Sequence, residues 1–316
     1  MTRRDVYDSV LFSGPATYMG VPFSHDLTDA RAAILGVPFD CGRHPSRIGA
    51  RAGPSAIRQQ SPLVRELLDD AGLDPLAELG VVDCGDVRVT PGAIDGSFAN
   101  IEAAVHRIAA AGTVPVTMGG DGAVTLPQLR ALHRVHDGLC VLHFDAHTDT
   151  YEGSGADTYN NATTFTRAAE EGIVDVANSI HVGCRGPVDI ERIAGQTRGR
   201  GYELIDARDF FRRGSEAAVA HIRERLAGRP VYLCFDMDFF DPSVAPGVCT
   251  PTWGGATARE GIELLRALAG LRIVAIDVNT VSPPHDVNGQ TAFLAAQVML
   301  EAIALVARRR RNRPAD

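Results

Sequence analysis

Leu142-His143-Phe144-Asp145-Ala146-His147-Thr148-Asp149 and Cys234-Phe235-Asp236-Met237-Asp238-Phe239-Phe240-Asp241-Pro242 are two apolar runs that end in alternating acids. A short apolar run with a polar end reads as a buried strand. Carboxylates brought to one point by two strand ends repel each other and lose hydration, so they need a cation between them. In a parallel sheet covered by helices, ligands sit beyond the carboxyl ends of the strands. The two segments therefore predict a fold and a metal site together.

The rest of the chain fits that sheet. Candidate strands fall at 32–37, 80–83, 114–118, 140–144, 179–182, 201–204, 231–235 and 272–276. Helical spacing separates most of them, as in Ile101, Ala104, Val105 and Ile108, or in Ile262, Leu264, Leu265 and Leu268. Such alternation predicts an α/β fold in three layers, α/β/α, around a mostly parallel sheet. No repeat or low-complexity linker interrupts it, so residues 1–316 are expected to form a single domain. Two stretches rich in Gly, Pro and Asn, 152–163 and 241–255, read as loops, the first placed to close over a site. Arg308 to Arg311, with Arg313, reads as the solvated end of a helix, where cations suit the helix dipole.

Composition narrows the function classes. The chain has 316 residues, 45% hydrophobic, with a net charge of -8. That balance gives no reason to expect nucleic acid or membrane as partner. No stretch is expected to approach the roughly 20 apolar residues of a membrane span. The charged N-terminus, Met1-Thr2-Arg3-Arg4-Asp5, lacks the apolar run of a secretory signal. Six scattered cysteines (Cys41, Cys84, Cys140, Cys184, Cys234, Cys249) predict reduced thiols and a cytoplasmic location.

In Asp145-x-His147-x-Asp149, residues spaced by two point the same way if the chain is extended, and Asp236-x-Asp238 has the same spacing. Oxygen ligands with one imidazole suit Mn²⁺, or Ni²⁺ as second choice. Two such ions would activate a bridging hydroxide. The plainer reading, acids capping helices after buried strands, must account for both segments and the histidine at once.

At this point the chain resembles the ureohydrolase (arginase/agmatinase) family, and within it the agmatinase-like branch. The resemblance runs through 12–22, 36–40, 49–58, 82–87, Gly119-Gly120-Asp121, 143–149, 236–247 and 277–283. It implies an arginase-like eight-stranded sheet, trimers or hexamers, and hydrolysis of a guanidine-type C–N bond at a dinuclear Mn²⁺ centre. By resemblance, Asp145, Asp149 and Asp236 are ligands of the first ion, and Asp145, His147, Asp236 and Asp238 of the second.

Three positions depart from the family pattern. The sixth ligand, a histidine after Gly-Gly-Asp, is Gly122 here. The loop histidine of His-Gly-Thr is Asn161, which cannot take a proton near neutral pH. The guanidinium-binding glutamate is Thr280. Asp149, Asn161 and Thr280 therefore occupy the catalytic positions, the last two as replacements. The expectation is fewer than two ions per chain, or none. The chain is then the non-catalytic or weakly catalytic partner of a complete paralogue, acting on a guanidine- or biguanide-type substrate. The heteromeric metformin hydrolases, whose subunits differ in how complete their sites are, offer a precedent. The alternatives are an active divergent hydrolase of the agmatinase/guanidinobutyrase kind with an altered substrate, and a small-amine binding protein. His285 and Cys249 stand near these motifs; a turn histidine and a packed thiol are the plainer readings.

Overall fold

The structure, a computed structural model, describes residues 14–44, 46–65, 72–90, 92–186 and 189–312. The charged N-terminal residues 1–5, the start of segment 12–22 and Arg313 lie outside them.

Eight strands form one sheet: β1 (Ala32–Gly36), β2 (Val82–Asp86), β3 (Val114–Met118), β4 (Cys140–Phe144), β5 (Ile180–Val182), β6 (Glu203–Ile205), β7 (Pro230–Asp236) and β8 (Arg272–Asn279). Their order is β2-β1-β3-β8-β7-β4-β5-β6, and every pairing is parallel. The expected α/β architecture is what the chain adopts. Successive strand residues serve opposite faces: Ala32, Ile34, Leu142 and Phe144 enter one core, while Ala33, Leu35 and Val141 enter the other. Helices α1 (Gly53–Gln60), α4 (Ala258–Ala267) and α5 (Gln290–Arg311) pack on the first face, and α2 (Ile94–Ala110) and α3 (Thr125–His133) on the second.

Several strand ends shift by a residue or two from expectation, β6 from 201–204 to Glu203–Ile205 among them; β2 and β8 differ most. β2 starts later than residue 80 because Gly80 turns with φ 55, and it runs on to Asp86. β8 continues past Ile276 because its one charged group there is satisfied inside the sheet. The buried Asp277 carboxylate accepts from Thr117 (2.8 Å), Thr125 (2.7 Å), Tyr232 (2.8 Å) and Asn279 (3.1 Å). A carboxylate holding four donors can stay buried, so a charge no longer ends the strand.

The fold motifs are tied in the same way. The Arg58 guanidinium of α1 forks onto Asp83 of β2, with Nε and Nη2 each 2.8 Å from a carboxylate oxygen. A third nitrogen reaches Asp86 at 2.5 Å. This is the planar, bidentate geometry that arginine supplies and lysine does not.

Helix α5 corrects the expectation about apolar stretches. Its 22 residues include a window of mean hydropathy 1.6, long and apolar enough to cross a membrane by composition. That window is 78% buried inside the protein, so α5 is a core helix here. The six cysteines are free, and four of them are buried.

Candidate metal centre

The central strands β3, β8, β7 and β4 are consecutive in the sheet. Their carboxyl ends surround a cavity of about 130 Å³. Its walls include Gly122, Asp145, His147, Asp149, Asn161, Asp236, Asp238 and Thr280, so all the residues singled out by motif meet in one place. Tyr151, Thr250 and Cys249 also line it. His285 does not: its Nδ1 pairs with Ser282 at 2.9 Å in a short turn.

The acids converge by a different route from the one expected. β4 ends at Phe144 and β7 at Asp236, so the following residues are turns, not extended chain. Asp145 accepts from the backbone N–H of His147 (2.6 Å), and Asp236 from that of Asp238 (2.7 Å). Each aspartate folds the chain back over its own carboxylate. Asp149 completes the turn in the left-handed region, φ 51.

The donor atoms form two overlapping groups. Asp145, His147 and Asp238 bring one ligand atom each within 4.8 Å of one another, and so do His143, Asp145 and Asp149. The His147 Nδ1 lies 3.2 Å from Asp145 and 3.1 Å from Asp238. Asp236 stands apart from both groups, where Thr280 Oγ1 donates to its Oδ1 beside the Asp238 N–H.

Burial sets the electrostatics. It pushes the Asp236 and Asp149 carboxyls well above the usual range, and the charges of Asp238 and Asp145 add to the shift. Burial and Asp145 push Asp238 up to about 6. Asp145 is the exception. Burial opposes its ionisation, but the nearby His143 and His147 together hold it well below the usual range. Burial works against charge on His147 too, yet Asp238 and Asp145 keep it protonated well above its ordinary value. The imidazolium is thus the counter-charge among four buried acids. A divalent cation would take over that role, so the donor set fits a hard cation. Binding there requires His147 to give up its proton.

The motifs did not point to His143, His181 and Arg185. His143 Nε2 lies 3.0 Å from Asp145 Oδ2, and its Nδ1 2.9 Å from Nδ1 of His181. A carboxylate only accepts, so Nε2 of His143 carries the hydrogen, and one hydrogen is shared between the two Nδ1 atoms. Burial and His143 keep His181 neutral, and its Nε2 has no partner among the described residues. The rings of Phe165 and Tyr202 enclose it, with centroids at 4.8 and 4.7 Å. This relay orients Asp145 from behind, the usual task of an outer ligand shell. Arg185 is buried and, among the described residues, in no ion pair. Its guanidinium donates to the carbonyls of Asp238 (2.7 Å), Phe240 (3.1 Å) and Thr252 (2.9 Å), which fastens loop 241–255 to the site. A strand-end histidine pair, His143 and His181, was the available sequence signal; nothing local marks Arg185.

The departing positions are structurally explicit. A Cβ at Gly122 would sit 3.1 Å from Asp149 Oδ2 and 3.6 Å from Asn161 Cβ, so a side chain here would enter the acid cluster. Asn161 stands in a turn capped by Asn160, and its amide oxygen accepts from the Cys41 thiol at 3.5 Å. Thr280 keeps φ 65, which is exceptional for a β-branched residue. Burial, then the charges of Asp121 and Asp236, push the Cys249 thiol far up, so it stays protonated and is a packed thiol at the cavity wall.

A parallel α/β/α sheet with this cluster of acids and imidazole beyond its central strands has the architecture of the arginase-fold hydrolases. The chain belongs to the arginase family, whose model matches residues 30–305. It is 39% identical over 297 residues to the guanidinopropionase of Pseudomonas aeruginosa, covering 94% of this chain and 93% of that protein. It is 36% identical over 306 residues to an agmatinase of Escherichia coli, covering 95% and 96%. The solved proclavaminate amidino hydrolase of Streptomyces clavuligerus superposes with a TM-score of 0.88 at 32% identity, over 94% of this chain and 99% of that one.

Proposed function

We propose that this chain is a ureohydrolase subunit with an incomplete dinuclear centre, weakly catalytic or non-catalytic by itself, that works beside a complete paralogue on a guanidine- or biguanide-type substrate. The observation that carries the reading is the empty reach of Gly122. A side chain there would point at Asp149, and glycine supplies none. Asp145, His147 and Asp238 would hold one Mn²⁺ or Ni²⁺, with Asp236 close by. Asp149 is left with Asp145 and the outer His143 as neighbours. A cation bound there supplies Lewis-acid activation of water. The chain's own groups do little for the rest of the reaction. Asn161 orients but moves no proton, and the Thr280 hydroxyl is spent on Asp236, offering no charge to a guanidinium.

The partner reading has its own support. Trp253 is 74% exposed beside Thr252, whose hydroxyl is 3.5 Å from His147. An exposed tryptophan at a cleft mouth is the residue type enriched in interfaces. The assembly in this reading is a trimer or hexamer in the cytoplasm. The test is elemental analysis and assembly mass of the chain expressed alone and with its genomic neighbour. The reading expects fewer than two ions per chain and co-assembly. Two tightly held ions, with turnover by the isolated chain, would overturn it.

A second reading has one specific observation behind it. The compact Asp145–His147–Asp238 group is a complete three-residue ligand set. On that reading the chain is a divergent one-metal hydrolase of guanidino compounds, related to the guanidinopropionase and agmatinase it is similar to. Turnover by the isolated chain that disappears in Asp238→Ala decides for it.

A further inference from the structure

At the opposite end of the sheet from the acids lies a second cavity, of about 220 Å³. It is framed by the starts of β1, β3 and β8 and the last turn of α5. Arg31, His136, Arg272, Arg309 and Arg310 surround it, and Val114 contributes to an apolar floor. No acid lines it. Arg31, Arg272 and Arg310 have no acidic partner among the described residues. Arginines elsewhere in the fold do pair with acids, as Arg58, Arg130 and Arg266 do. In a chain of net charge -8, a concave pocket that gathers four arginines from three separate parts of the fold is a local inversion of the field.

We propose that this pocket binds a small phosphate-bearing anion, with the phosphoryl or diphosphoryl group inside and the remainder in solvent. Guanidinium groups match phosphate oxygens in pairs, and like charges held together without counter-ions gain most from a multivalent anion. The volume limits the guest. At about 30 Å³ per water, 220 Å³ holds about seven waters, the size of such a head group and too little for a base and sugar as well. The half-buried His136 feels burial and the Arg272 charge, both of which lower its pKa, so its neutral ring can add a hydrogen bond beside the guanidinium groups. The pocket shares no residue with the acid cluster.

Calorimetry with inorganic phosphate and with pyrophosphate tests this on the full chain, against Arg272→Gln and Arg31→Gln. The expected result is saturable binding that weakens by at least about tenfold in each variant, the loss of one charge-assisted hydrogen bond, with metal content and melting temperature unchanged. Binding that is equal in the wild type and both variants would place the anion elsewhere and overturn the proposal. So would no binding of either probe, or variants that change only the assembly mass, which would make the patch a subunit contact.

Discussion

Beyond β4 and β7, every acid and imidazole that the family resemblance gives to a metal is present, the acids buried and His147 partly so. Beyond β3 and β8, one strand over in the same sheet, the corresponding positions hold Gly122 and Thr280. The backbone of this second flank is firmly held: Thr280 sits at φ 65, and its N–H donates to the Gly120 carbonyl at 2.7 Å. One flank carries the groups that attract a cation; the other presents a glycine and a hydroxyl. The acid cluster belongs to the first flank alone, and it needs a counter-charge there.

Rebuilding the missing flank is the strongest way to break the comparison. Gly122→His with Asn161→His and Thr280→Glu restores a ligand, a proton carrier and a guanidinium anchor. The neighbour that must yield to a side chain at 122 is the free end of Asp149, not backbone. A positioned acid or base alone is worth roughly 10² to 10⁴ in rate. Urea release from guanidinobutyrate or agmatine should rise by at least the lower figure, and metal content toward two. A triple variant that folds, fills with metal and stays as slow as the wild type would show that the flank is not what limits the chemistry.

Next in size is the intact flank itself. Asp145→Ala removes the acid shared by both donor groups. Metal affinity, read by titration under a competing chelator, should fall by more than about 10²-fold, the upper end of what an outer-shell loss costs. Retention of metal in this variant would move the site away from β4. His181→Ala tests the relay behind it. Removing the hydrogen-bond partner of His143 should cost about 10- to 100-fold in metal affinity, and His181→Asn, which keeps a polar partner, should recover part of it. If Ala and Asn behave alike, His181 only fills space between Phe165 and Tyr202.

Much of this was legible before any coordinates. The strand-end acids, the alternation of strands and helices, and the replacements at 122, 161 and 280 are local patterns, and the structure puts those residues in one cavity. What escaped was non-local. The end of β8 depends on Thr117, Thr125 and Tyr232 reaching Asp277 from β3, α3 and β7. Arg185 is useful only because three carbonyls from later loops face it. The turn geometry of Asp145 and Asp236 also lay hidden, because a spacing of two fits an extended strand and an aspartate turn equally well. The apolar content of α5 is plain in its sequence, with one acid, Glu301, inside it and its arginines gathered in the last turn; that the helix is core depends on what packs around it.

The smallest effect concerns Thr280 as a strained residue. A non-glycine residue in the left-handed region costs roughly 1 to 2 kcal/mol, and asparagine pays least among the larger side chains. Thr280 is 4% exposed, but it borders the cavity, so one additional heavy atom has space. Thr280→Asn removes the β-branch and keeps a donor for Asp236. The variant should be more stable than the wild type by about 0.5 to 1 kcal/mol, which for a chain of this size is a rise of about 1 to 2 °C in Tm. Metal content should stay the same, since no ligand changes. A lower Tm would mean that the hydroxyl on Asp236 outweighs the backbone strain, and that this flank has already adapted to its new side chain.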